Sequence, residues 1–132
     1  MMPKEKTVVI IKPEGKRVGM TDKFGDESFE EGNLFRQITC GEVDIFFIEG
    51  DDVVLTVRSD KVIGQTHLNT GLRGWIRTTY YSDESFWRSI QDSTGDDPHG
   101  KEYRYNGIHA PSSIEEAERD WNYFNAKVLS CE

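Results

Sequence analysis

Two uninterrupted apolar runs open the chain's pattern. Thr7-Val-Val-Ile-Ile11 is continuous and β-branched and is closed by Lys12-Pro13; Val43-Asp-Ile-Phe-Phe-Ile48 is stopped by Glu49-Gly50. Runs without period-2 alternation predict strands buried on both faces, and such strands need helices packed on their sheet. Residues 51–64 fit two patterns. Val53-Val-Leu-Thr-Val57 has strand propensity, yet Asp51 or Asp52 suits an N-cap, Gly64 a helix stop, and Val53, Val54, Val57 and Lys61 share one helical face.

The last predicted helix is the most clearly written. Ser112 and Ser113 each precede a glutamate by three residues, Glu115 and Glu116, as two overlapping capping boxes. Ile114, Ala117, Trp121, Phe124 and Val128 then recur at spacings of three or four, an apolar stripe that must face a core. Tyr103 to His109 leads into it as a further strand. Residues 14–32, with four glycines and the acidic pairs Asp26-Glu27 and Glu30-Glu31, read as a loop. So do residues 82–102, apart from a short helix around Phe86, Trp87 and Ile90.

Length and composition narrow the class. A chain of 132 residues with 36% hydrophobic and 30% charged residues fits one soluble domain, 1–132, with no repeat or linker. The net charge of −8 argues against a nucleic-acid surface, which needs clustered Lys and Arg. A mononucleotide needs only three or four cations gathered locally. Cys40 and Cys131 form no CxxC pair and read as a buried and a loose thiol. The apolar run near the N-terminus is too short for a signal-peptide core or membrane span, so the expected setting is cytoplasmic.

The candidate chemistry centres on His109, in Asn106-Gly-Ile-His109-Ala-Pro-Ser-Ser-Ile-Glu-Glu-Ala-Glu-Arg-Asp120. It follows a strand and precedes a helix N-terminus, where free N–H groups and the helix dipole favour anions. A nucleophilic imidazole needs its second nitrogen fixed by an acceptor, and Asp120, two turns into the helix, is the candidate. Asp96, Asp97 and His99 read as a solvated turn rather than a metal site, since structural sites need four ligands. His67 has no supporting partner, and no metal ligand set is expected.

These residues resemble the nucleoside diphosphate kinase family, whose histidine motif runs Asn-x-x-His and continues into a helix with Ala-Glu-Arg/Lys-Glu. Asn106, His109, Ala117, Glu118 and Arg119 match in register, with Asp120 in place of the orienting glutamate. Thr7 to Lys12-Pro13-Glu-Gly is similar to the family's first strand and phosphate-region lysine, and Gly41 to Gly50 to its central strand. Val57-Arg58 with Val62-Ile-Gly64-Gln-Thr66, then Gly74-Trp-Ile-Arg77, resemble the segments carrying two arginines and a threonine to the phosphates; Lys61 competes with Arg58. The base-clamping helical hairpin has no counterpart except a partial substitute in Phe35, and residues 81–104 form an extension.

The resemblance implies an α/β (α+β) chain with a ferredoxin-like antiparallel sheet, βαββαβ, helices on one face, residues 51–63 helical, and one edge strand in question. It implies transfer of the γ-phosphoryl of a nucleoside triphosphate to a diphosphate through phospho-His109, or a nucleotide-binding or protein-interaction module that lost turnover. Lys12, Arg58 and Arg77 would neutralise phosphate charge, Thr66 would add a hydroxyl donor and Asn106 would meet the ribose. Mg2+ would accompany the nucleotide, and the chain would form a homo-oligomer.

Overall fold

The computed structural model describes the backbone of residues 4–27 and 34–131, and the side chains of 4–25 and 36–131. The two apolar runs become strands β1 (Glu5–Ile11) and β3 (Val43–Gly50), which pair antiparallel, Glu5 opposite Gly50 and Ile11 opposite Asp44. Strand β2 (Leu34–Cys40) pairs antiparallel with β3, and the two-residue β4 (Ile108–His109) with Ile10 and Ile11 of β1. The order is β2-β3-β1-β4. This is the ferredoxin-like arrangement, and β2 answers the edge-strand question: that strand is present.

Helices α1 (Pro13–Arg17) and α2 (Met20–Glu27) link β1 to β2; α3 (Val53–Arg58), α4 (Gly71–Tyr80) and α5 (Glu84–Thr94) lie between β3 and β4. These crossover helices pack on one face, where Val9, Ile11, Phe46 and Ile48 of the sheet meet Met20, Phe24, Val57, Ile76 and Phe86. The last helix, α6 (Ile114–Lys127), takes the other face, where Trp121, Phe124 and Val128 pack on Val8, Ile45 and Phe47. Period-2 alternation therefore sends odd and even residues of β1 into two clusters, which is why its sequence shows no polar face.

Several sequence expectations are corrected. Residues 14–32 are not simply a loop: two helices lie there, split at Gly19, whose φ of +84° is left-handed. Met20 and Phe24, one turn apart and both fully buried, form a short stripe masked by the surrounding polar residues. Helix α3 ends at Arg58 instead of residue 63, so Lys61 lies in an exposed turn. Asp52 precedes α3 with φ +57° and no side-chain cap. Residues 102–105 form a 3₁₀ turn, and only Ile108–His109 is strand. The helix around Phe86 runs eleven residues, capped by Asp83, whose carboxylate accepts from the Ser85 N–H. In α6 the cap is Ser113, accepting from the Glu116 N–H at 3.1 Å, while Glu116 reaches back to the Ser112 hydroxyl at 2.9 Å; Ile114 is exposed and outside the stripe.

The cysteines are not free. Cys40 and Cys131 form a disulfide across 91 residues of sequence, because α6 crosses the sheet and returns the C-terminal segment to β2. Sequence spacing carries no information about such a tertiary approach. No helix among the described residues is long and apolar enough to cross a membrane.

Candidate functional site

The segment carrying His109 is held from both sides by backbone and side-chain bonds. Before it, the Lys12 N–H donates to the Gly107 carbonyl at 2.8 Å, and the Gly107 N–H donates to the buried Glu14 carboxylate at 2.9 Å. Gly107 has φ +86°, and its carbonyl packs so closely on Gly15 that a Cβ there would lie 2.4 Å away. Glycine is required at both positions for the first turn of α1 to touch this loop. Lys12 then extends its ammonium to the Arg104 carbonyl at 2.8 Å, with the Glu14 carboxylate 4.0 Å away.

Two arginines bracket His109 itself. Arg73 donates to the Ile108 carbonyl at 3.2 Å, and Arg58 donates to the Ala110 carbonyl at 2.7 Å, the residues immediately before and after the histidine. Arg77, one turn beyond Arg73 on α4, donates to the Thr66 carbonyl at 2.9 Å. Among the described residues none of the three guanidiniums has a carboxylate within ion-pair distance. Among these residues their charge meets carbonyl dipoles and no carboxylate.

Arg58, Arg73, Arg77, Thr66 and Asn106 line one cavity of about 800 Å3. Four of the five are sequence candidates; Arg73 is not. The one local signal for it is its spacing of i−4 from Arg77, which puts both on the same helical face. His67, set aside in the sequence, also lines the cavity, as do Tyr81 and Glu102 from the ends of the 81–104 extension. The extension therefore walls the cavity. Lys61 is not in the lining, and the Phe35 side chain lies outside the described residues.

Lys12 and His109 stand beside this cavity rather than in its lining, and Arg73 links them to it through its field. Burial is the main force holding the His109 pKa below its ordinary value, and the charges of Lys12 and Arg73 push it the same way, against Asp120 and Glu116. Burial likewise lowers Lys12, with Glu14 opposing and Arg73 reinforcing. Arg73 is lowered by burial and by neighbouring Arg58. Lys12 at the cap of α1, Arg73 of α4, His109 of β4, and Glu116 and Asp120 of α6 thus share one electrostatic neighbourhood, whose net effect disfavours the imidazolium.

Among the described residues, two buried atoms here have no partner: Arg73 Nε, a donor, and Asn106 Oδ1, an acceptor. An unpaired buried polar atom costs about 1–3 kcal/mol, and a ligand with both an anionic oxygen and a hydroxyl would satisfy the pair. Tyr81 is a different kind of wall. Burial chiefly raises its pKa to about 12, and its neutral hydroxyl donates to the Glu102 carbonyl at 2.9 Å.

Sequence comparison finds the same likeness as the motifs. The chain is 34% identical over 100 residues to nucleoside diphosphate kinases of Saccharolobus islandicus (strain L.S.2.15 / Lassen #1) and Saccharolobus solfataricus (strain ATCC 35092), covering 76% of this chain and 56% of each relative. It therefore spans only about half the length of the curated relatives it matches. No protein-family model matches the chain.

Proposed function

We propose that this chain is a shortened, divergent nucleoside diphosphate kinase that transfers a γ-phosphoryl group through His109. A neutral ring nitrogen of His109 attacks the γ-phosphorus, and the bond to the β,γ-bridging oxygen breaks. The diphosphate leaves with the electron pair. In the second half, a terminal oxygen of another diphosphate attacks the phosphohistidine and the N–P bond breaks, restoring the imidazole. Arg58, Arg73, Arg77 and Lys12 neutralise the phosphate oxygens, and guanidiniums can do so bidentately. The Thr66 hydroxyl adds a donor, Asn106 Oδ1 accepts from a ribose hydroxyl, and Asp120 orients the imidazole.

The observation that carries this reading is the set of three guanidiniums that have no acidic partner among the described residues, two of them bracketing the histidine backbone. Phosphoryl transfer is mainly positioning and charge neutralisation, so this set matches its needs. Among the described residues no three His, Cys, Asp or Glu side chains gather to hold a metal. Mg2+ would be held by the nucleotide phosphates and water, where it would supply further charge neutralisation. A homo-oligomer built on the open edge of β2 and a cytoplasmic setting belong to the same proposal; in a reducing cytosol Cys40 and Cys131 would be isolated as thiols.

A second reading, a nucleotide-binding module without turnover, is favoured by one feature: the His109 side chain is outside the cavity lining. Exchange of phosphoryl groups between ATP and GDP separates the two. The kinase reading expects exchange that His109→Asn abolishes while ADP still binds. Binding without exchange in the unmodified protein supports the module, and equal exchange by the variant removes His109 from the chemistry.

A further inference from the structure

The 81–104 extension lines a second, smaller hollow besides the phosphate cavity. This groove of about 270 Å3 is lined by Tyr81, Ser82, Glu84, Trp87, His99 and Glu102. It shares Tyr81 and Glu102 with the larger cavity, while Ser82, Glu84, Trp87 and His99 belong to the groove alone. It is therefore a separate space behind the same wall, and phosphoryl transfer makes no use of it. Its two rings are fixed. The Trp87 indole N–H donates to the Tyr81 carbonyl at 2.8 Å, and the Tyr81 hydroxyl donates to the Glu102 carbonyl at 2.9 Å. The ring centroids lie 4.8 Å apart with their planes at 56°, so the half-buried pair makes a corner rather than a stack. Rings held this way lose little further freedom when a ligand settles on them.

Two carboxylates reach the same groove. Among the described residues neither Glu84 nor Glu102 has a Lys or Arg within ion-pair distance. His99 pairs instead with Asp97 at 2.6 Å; that bond and the Asp97 charge chiefly raise the His99 pKa above its ordinary value, and Glu102 and Glu84 add to the effect. The local field thus favours positive charge. The tryptophans point the same way independently. The Lys23 ammonium lies 5.2 Å from the Trp75 ring centroid and that of Lys6 5.5 Å from the Trp121 centroid. Among the described residues no Lys or Arg lies over Trp87 or Tyr81. An aromatic corner beside unpaired carboxylates suits an organic cation, whose charge meets the carboxylates and the ring faces together.

We propose that this groove binds a small organic cation carrying an alkylammonium group, with the charge between Glu84 and Glu102 and the alkyl carbons on Trp87 and Tyr81. A metal ion is the poorer occupant, because among the described residues no three His, Cys, Asp or Glu side chains gather to hold one. The volume of about 270 Å3 falls below the roughly 300–1,000 Å3 of pockets that enclose drug-sized ligands, and so suits an ammonium head with a short chain.

Titration of the full chain with butylammonium chloride, followed by NMR of the tryptophan indole N–H signals, tests the groove. The Trp87 signal, assigned as the one missing from Trp87→Phe, should shift and saturate, while those of Trp75 and Trp121 stay in place. Glu84→Gln and Glu102→Gln should each weaken binding about threefold, the scale of a solvent-exposed charge contact. Glu84 is exposed and Gln at 102 keeps the oxygen that accepts from the Gly100 N–H, so both variants should fold as the parent does. Glu118→Gln, an exposed carboxylate on α6, should bind as the parent does. The proposal is overturned if the Trp87 signal does not move or moves without saturating, or if 1-butanol or MgCl2 shifts it equally. It is overturned too if Glu118→Gln weakens binding as much as Glu84→Gln, which would reduce the effect to the net charge of −8.

Discussion

Substituting Gly15 by alanine probes how tightly the histidine loop is positioned. The added Cβ would stand 2.4 Å from the Gly107 oxygen and 3.0 Å from its carbonyl carbon, where ordinary contact begins at 3.4 Å. Both atoms are backbone, so no side chain can swing aside, and the loop must retreat by about 1 Å. That movement stretches the Lys12 to Gly107 bond, now 2.8 Å, and the Gly107 to Glu14 bond, now 2.9 Å. Losing a neutral and a carboxylate hydrogen bond costs roughly 2–4 kcal/mol, against a gain of about 1 kcal/mol from replacing a helical glycine. At about 4 °C per kcal/mol for a chain of this size, the melting temperature should fall by roughly 4–12 °C. His109 lies two residues beyond Gly107, and a 1 Å misplacement of a reacting group can cost about a hundredfold in rate. Circular dichroism melting and ATP–GDP exchange measure both effects. Gly25→Ala, with nothing within 4 Å of its Cβ, is the control and should change neither adversely. If Gly15→Ala melts with the parent and exchanges within about threefold of it, the positioning argument is wrong.

Asp44 is buried and accepts from the Thr21 and Thr39 hydroxyls at 2.6 Å each, with the Lys16 ammonium at 3.4 Å. Asp44→Ala should cost roughly 3 kcal/mol in urea unfolding at pH 7. Burial, the largest influence, pushes the Asp44 pKa up, but the two hydroxyls and Lys16 outweigh it and hold the carboxyl below its ordinary value. Its stabilisation is therefore complete above about pH 4 and lost as pH falls further, so the parent–variant gap should close in acid; a constant gap contradicts this. The exchange rate should keep its acid limb below pH 6.5, because burial, aided by Lys12 and Arg73, lowers His109. Asp120→Asn removes an opposing charge and should move that limb to still lower pH; an alkaline shift counts against the assignment. Reducing Cys40–Cys131, which closes 91 residues of separation, should destabilise the chain by about 3 kcal/mol, and unchanged melting under reductant would contradict this.

The sheet core and the last helix were legible because their signals are local. Thr7–Ile11 and Val43–Ile48 have the composition of doubly covered strands, and Ser113 with Glu116 announces the start of α6. Features set by tertiary contact were not legible. Helix α3 stops at Arg58 although Val62 and Ile63 continue the apolar pattern, since the chain there turns back and the Ile63 N–H bonds the Val57 carbonyl. The helices at 13–27 hide behind glycines that serve the Gly15–Gly107 approach and the turn at Gly19. Arg73 escaped because its nearest motif pointed to Arg77; its place between the cavity and the His109 strand is a product of how α4 packs. Arg58, Arg73 and Arg77 reach one cavity only because α3 and α4 pack beside the chain around β4, where Arg58 and Arg73 bond the carbonyls of Ala110 and Ile108; Lys12 stands outside the lining.

A covalent phosphohistidine at residue 109 is the intermediate that the proposed reaction requires. The protein incubated with ATP labelled at the γ-phosphate should retain label that survives base and is released by acid, and peptide mapping should assign it to His109. Label that is absent, that survives acid, or that persists in His109→Ala would contradict it.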